Sequence, residues 1–159
     1  MYVKGNWKIY LFWILLSEAV GALSGWLTSA ATETYNTTIL KPSLSPPGWI
    51  FPVVWTILFV LMGIGAARIY LSGPSVVRNL GLNLFVAQLA VNFLWSPIFF
   101  RLQSFGFAFF WLLLLWTLVF SMTLTFRETD PIAAKLQIPY LAWLAFAGYL
   151  NLGVWYLNR

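Results

Sequence analysis

Ile50-Phe51-Pro52-Val53-Val54-Trp55-Thr56-Ile57-Leu58-Phe59-Val60-Leu61-Met62-Gly63-Ile64-Gly65-Ala66-Ala67-Arg68-Ile69-Tyr70-Leu71 carries one charge, Arg68, close to its end. Such a run matches the ~20 apolar residues that cross ~30 Å of hydrocarbon. Lipid offers no partner to a backbone N–H or C=O, so the run must be helical. Period-2 alternation is absent, which argues against a membrane barrel. One similar run lies ahead of it, and three follow. The sequence therefore predicts an all-α fold, a single domain over 1–159 that forms an integral membrane bundle of five transmembrane helices. The approximate spans are 9–27, 50–71, 80–100, 105–126 and 138–157.

Composition points the same way. The 159 residues are 61% hydrophobic and 8% charged, whereas a soluble domain carries roughly 25% charge to coat its surface. Nine basic and four acidic residues give a net charge of +5. The basic residues stand singly between apolar runs, a pattern of topology signals and lipid head-group contacts rather than of a nucleic-acid surface. There is no Cys and no His. That excludes disulfides, thiolate metal sites, Cys nucleophiles and imidazole catalysis, and it removes the commonest protein ligands to haem iron. No phosphate-binding Gly loop, Ser/His pair, paired carboxylates within a span or metal-ligand cluster is present. No metal site, required cofactor or conventional catalytic site is expected.

The connections differ in kind. Ser72 to Asn79 and Arg101 to Ser104 are short, so they join antiparallel neighbours. Asp130-Pro131 reads as a helix start with Pro at its first position. The stretch 28–49 reads as a long connection ending Lys41-Pro42-Ser43-Leu44-Ser45-Pro46-Pro47-Gly48-Trp49, stiffened by its prolines. A long ordered loop is more often functional than idle. The alternative for the first run is a cleaved secretory signal, but the run is long for a signal core and Ala30-Ala31 is a weak cleavage cue. Lys4, Lys8, Arg68, Arg78, Arg127 and Lys135 fall on one side, against Lys41, Arg101 and Arg159 on the other. The excess places the N-terminus in the cytoplasm and the Pro-rich loop and C-terminus outside.

Polar groups inside membrane helices are costly, and therefore informative. Glu18 is the acid within a span; with no basic residue at similar depth, the preferred reading is a carboxyl that joins two helices, the alternative a ligand or proton contact. Ser17, Gly21 and Gly25 form a small-residue stripe beside it, suited to close helix contact. Gln88, Asn92 and Ser96 lie four apart on one face of the third run, as interhelical hydrogen bonds or as the polar wall of a pocket. Asn151 is a similar case. Among the ten Trp, Trp7, Trp26, Trp49 and Trp155 fall near span ends as interfacial anchors. Trp111 and Trp116 face lipid or a partner helix, and Trp143 lies deep. Trp55 and Trp95 are candidates to line a cavity suited to a flat aromatic ligand. Trp49 and Trp55 are about 240° apart on an ideal helix, so Trp49 belongs at the mouth beneath the loop while Trp55 points inward. Val154, Tyr156 and Arg159 fit a proposed cholesterol pattern, a weak and common one; the plain reading is an interfacial Tyr with a terminal Arg.

The stretch Lys41-Pro42…Pro46-Pro47-Gly48-Trp49-Ile50-Phe51-Pro52-Val53-Val54-Trp55-Thr56 resembles the TspO/translocator protein family, the tryptophan-rich sensory proteins or peripheral benzodiazepine receptors. So do Met62-Gly63, Asn92-Phe93-Leu94-Trp95-Ser96-Pro97 with Phe99-Phe100, Pro139-Tyr140-Leu141-Ala142-Trp143 and Ala147-Gly148-Tyr149-Leu150-Asn151. The resemblance covers nearly the whole chain in order. It implies a usually dimeric five-helix bundle in the cell membrane, with a hydrophobic pocket capped by the loop after the first helix. It implies binding of tetrapyrroles such as protoporphyrin IX, sterols, and isoquinoline or benzodiazepine drugs. Carried over by motif, Trp49, Trp55, Asn92 and Trp95 are implied pocket residues, with Tyr35, Ala147 and Leu150 as further contacts. Some members are reported to degrade protoporphyrin in light, for which Trp55 and Trp95 are the redox candidates here. Thr34 and Leu44 stand where the family often has Trp, which weakens the loop's aromatic contribution. Without His, the metal-free porphyrin is the expected ligand.

Three functions compete on this reading: a receptor, sensor or carrier for porphyrin-like ligands; a light-dependent porphyrin-degrading enzyme; and a scaffold without a small ligand. Expected partners are lipid, a porphyrin or sterol-like molecule and a second copy of the chain, packed through apolar helix faces that include the third helix. A reporter fused after Arg159 is expected to be active only on the outer side; activity of a cytoplasmic reporter there would reverse the orientation.

Overall fold

The computed structural model describes residues 3–159, with side chains from Gly5 onward; Met1, Tyr2 and the Lys4 side chain used in the charge comparison lie outside the described residues. The chain forms α1 (Val3–Thr38), α2 (Ile50–Leu71), α3 (Val76–Ser96), a π-helical turn (Pro97–Arg101), α4 (Phe105–Thr129), a short α5 (Pro131–Lys135) and α6 (Ile138–Leu157). Among the described residues five helical stretches are long and apolar enough to cross a membrane, with α5 and α6 together as the fifth. The all-α expectation holds.

The first boundary differs from the expected span. α1 does not stop near Leu27 but runs to Thr38, so residues 28–38 are helix and the connection is only Ile39 to Trp49. The apolar run ends at Leu27 while the helix meets no Pro or Gly until Pro42. Polar side chains in between are absorbed by the helix itself. Thr28, Thr32 and Thr38 each donate to a carbonyl one turn back, at 2.9, 2.9 and 2.7 Å. At 1.5 Å per residue α1 is about 54 Å long, well beyond the hydrocarbon thickness.

Pro97 has no N–H for the carbonyl of Phe93, four residues back. Ser24 on α1 supplies the missing donor, its hydroxyl lying 2.9 Å from that carbonyl. The backbone then widens into the π-helical turn, closed by the Leu102 N–H on the Pro97 carbonyl at 3.0 Å. The backbones of α1 and α2 come together at Gly63, where a Cβ would fall 2.5 Å from the Ile14 Cα. α3 packs on α4, and α4 on α6, around buried Phe85, Leu115, Val119, Met122 and Leu144. The backbones of α2 and α6 stay apart, and aromatic side chains bridge the gap.

Each end of the bundle is tied. At one, Arg68 Nε donates to Asp130 at 2.7 Å, joining α2 to the start of α5. Asp130 also caps α5 by accepting from the Ile132 N–H at 2.9 Å. At the other, the backbone of Leu40 and the side-chain amide of Asn158 exchange two hydrogen bonds, at 3.0 and 2.8 Å. Nearby the Tyr149 hydroxyl donates to the Ser43 carbonyl at 2.9 Å, and Pro42 lies so near Gly153 that a Cβ there would come within 2.6 Å of it. The Pro-rich loop is thereby pinned onto α6.

Burial alone raises the pKa of Asp130, but the Arg68 guanidinium and the backbone N–H groups of α5 outweigh it and hold the carboxyl below its ordinary 3.8. A depressed folded pKa gives stability that is complete above the unfolded value and is lost as pH falls through the folded one. Asp130→Ala is therefore expected to cost about 1–2 kcal/mol at neutral pH, through the lost cap and ion pair. The difference from the parent should shrink below about pH 4, measured by thermal unfolding in detergent.

Candidate functional site

α1, α2, α3 with its π turn, α4 and α6 enclose a cavity of about 550 Å³, within the range of small-molecule sites. On α6, Trp143, Ala147, Leu150 and Asn151 line it at helical spacing, and on α3 so do Asn92, Trp95 and Ser96. α2 contributes Phe51, Trp55 and Phe59, and α1 contributes Glu18, Gly21, Ser24, Thr28 and, at its loop end, Tyr35. A smaller cavity of about 290 Å³ continues beneath the loop, sharing Tyr35, Asn36, Gly48, Phe51 and Leu150 and adding Lys41 and Ser45. Exposed Ala22 and Gly25 on α1 and Thr56 on α2 border the larger cavity, so it reaches the bundle surface between these helices.

The walls are mainly aromatic. Trp55 stacks on Phe59, with ring centroids 5.6 Å apart, and meets Tyr140 and Trp143 edge-on at 6.0 and 6.5 Å. Trp95 stacks on Phe99 at 4.9 Å. Tyr35 meets Phe100 edge-on at 5.1 Å, so the end of α1 rests on the π turn. The Lys41 ammonium lies 4.9 Å over the Tyr35 ring and donates to the carbonyls of Tyr35, Asn36 and Ile39 at 3.2–3.3 Å. It thereby caps the C-terminus of α1 with a favourable charge.

Polar side chains set the wall positions. Asn92 Nδ2 donates to the Tyr140 hydroxyl at 2.7 Å, and that hydroxyl donates to Gln88 Oε1 at 2.9 Å. Asn92 is thus both an interhelical bond and a cavity residue, the two readings that the sequence left open. Trp95 Nε1 donates to Asn151 Oδ1 at 3.2 Å, while Asn151 Nδ2 donates to the Phe105 carbonyl at 2.8 Å, drawing α3, α4 and α6 together. Trp111 and Trp116 both turn to partner helices, donating to the carbonyls of Val91 and Leu141.

The structure brings Tyr35, Trp55, Asn92, Trp95, Ala147 and Leu150 to one cavity. Trp49 is not among its walls: it is 68% exposed at the entry to α2. The six-residue step from Trp55 turns it away, and Phe51 takes the wall position one turn before Trp55. Leu44 also points outward, with a left-handed φ of 69°. Val154 is buried, while Tyr156 is exposed with Arg159 over its ring at 4.5 Å, so the three do not form one surface. Glu18 does not join helices, since it takes part in no hydrogen bond among the described residues; it lies on the cavity wall. Trp143 was legible as deep but not as a wall residue. Its signal was the i, i+4, i+7 spacing to Ala147 and Leu150. No metal-ligand cluster occurs among the described residues.

The family model of TspO/MBR matches residues 13–157. The tryptophan-rich protein TspO of Chlorobaculum tepidum is 40% identical over 90% of this chain and 91% of its own length. The translocator protein of Bos taurus is 35% identical over 96% and 92%. The tryptophan-rich sensory protein of Cereibacter sphaeroides is 31% identical over 96% and 93%.

Tyr140→Phe is expected to strand the buried Gln88 and Asn92 amides, at a cost of about 1–3 kcal/mol, while leaving the aromatic walls in place. Thermal unfolding in detergent reads this; unchanged stability would mean that the hydroxyl bridges nothing of consequence.

Proposed function

The chain belongs to the TspO/MBR family, and from that premise we propose that it is a membrane receptor, sensor or carrier whose cavity binds porphyrins, protoporphyrin IX above all, and other hydrophobic ligands such as sterols and isoquinoline or benzodiazepine drugs. The observation that carries this reading is the cavity of about 550 Å³ lined by Trp55, Trp95 and Trp143. A porphyrin is a broad, flat aromatic body with carboxylates along one edge. Indole walls suit the body, and the loop end, where Lys41 lies, suits the carboxylates. A scaffold without ligand calls for sealed, fully packed helices, and a cavity of this size runs against it.

A second reading is light-dependent porphyrin degradation, favoured by the contact of Trp55 with Trp143 and the place of Trp95 on the same cavity. Indoles are the most readily oxidised groups there. Degradation needs light, oxygen and a new pigment, whereas binding changes only the spectrum. Exposed Phe12, Trp26, Phe107, Phe110 and Leu152 give the bundle an apolar exterior that suits lipid and a second copy of the chain. The reading includes a homodimer with a cytoplasmic N-terminus.

Protoporphyrin IX added to the purified protein in detergent is expected to quench Trp fluorescence saturably. Ala147→Leu, which adds bulk to the wall, should weaken that binding about tenfold or more. Trp55→Phe keeps an apolar ring but removes the indole, and should reduce any photochemical turnover more than binding. Quenching that is non-saturable, or indifferent to Ala147→Leu, would place binding outside the cavity.

A further inference from the structure

Glu18 is the one acidic side chain on the cavity wall, and no Lys or Arg lines the main cavity with it. It sits at the end remote from the loop: Tyr35, on the same helix, is about 25 Å further along the axis. Its Oε1 is buried and accepts no hydrogen bond. Donors along that wall are already committed. Ser24 donates to the Phe93 carbonyl, Thr28 to Ser24 and Thr32 to Thr28, while Gly21 and Ala22 have no polar side chain. A carboxylate oxygen held away from water without a donor is costly, and no hydrogen bond among the described residues offsets that cost at Oε1.

We infer that Glu18 is a specificity-determining residue of the cavity, recognising a protonated amine on an otherwise hydrophobic aromatic ligand. This rests on the proposed reading of the cavity as a ligand site. The ammonium donates to the carboxylate and neutralises it, a charge-assisted bond that strengthens away from water. The aromatic body then lies along Phe59, Trp55 and Trp143, where indole faces also favour a nearby cation. A ligand with a carboxylate enters with that group towards the loop end, since like charge excludes it from Glu18.

The test uses the full chain in a neutral detergent and two fluorescent probes: dansylcadaverine, which ends in a primary ammonium, and the dansyl pentylamide that lacks it. The parent should bind the ammonium probe at least about tenfold more tightly than the neutral one. Glu18→Gln, isosteric and uncharged, should bring that ratio close to one, with circular dichroism and thermal unfolding like the parent's. An unchanged ratio in Glu18→Gln, or no binding of dansylcadaverine to the parent, overturns the assignment. Should the variant not fold, the parent's own ratio decides, and a value near one overturns it. Protoporphyrin quenching in the parent is a separate readout: its loss would sink the porphyrin reading and leave the probe ratio to judge Glu18.

Discussion

Pro97 leaves the Phe93 carbonyl without its helical donor, in surroundings where lipid can offer none. The 2.9 Å bond from Ser24 meets that need, and much of the site depends on it. The bond fixes α1 against α3 in both depth and rotation. It also permits the π-helical turn, which sets Phe99 and Phe100 beneath the end of α1 where Tyr35 meets them. A hydroxyl on one helix and a missing N–H on another thus decide which face of α1 looks into the cavity.

The same economy governs the other end of the molecule. Three prolines leave the loop few backbone donors and little freedom. Its path is therefore set by what α6 offers: the Asn158 amide for the Leu40 peptide, the Tyr149 hydroxyl for Ser43, and the bare backbone of Gly153 for Pro42. These contacts lie more than a hundred residues apart in sequence. They hold the loop over the smaller cavity without any regular structure of its own.

Hydropathy made five spans and their order legible, because exclusion of charge over ~20 residues has one physical cause. It could not mark the end of α1. A bilayer boundary is a change of solvent, whereas a helix ends where the backbone can no longer continue, and Thr hydroxyls bonded one turn back carry it on to Thr38. Spacing found Trp55, Asn92 and Trp95, since period and polarity point inward together. Spacing also set Trp49 apart from Trp55, and it stands exposed at the entry to α2; only the motif implied it as a pocket residue, because a motif tells which residue types recur and not which way each side chain leaves the first turn. The sequence suggests a helix-joining role for Glu18, because interhelical bonding is the usual fate of an intramembrane carboxyl. Only the positions of the competing donors reveal that none reaches it.

A void in a membrane bundle costs lost dispersion contacts, and flexible walls would relax into it. Here they are braced. Below, the Gln88–Tyr140–Asn92 chain sets the separation of α3 and α6 by hydrogen bonds whose lengths cannot shrink. Towards the loop, Asn151 spans from Trp95 to the Phe105 carbonyl. Between the two, Trp55 rests edge-on against Trp143 and keeps α2 from closing on α6. Each indole is large and has only two side-chain torsions, so little entropy remains to be lost when a ligand arrives. A cavity held open in this way has its ordering cost met during folding, and binding is correspondingly less opposed. The polar network and the apolar pocket are therefore one device: the first fixes the shape that the second presents.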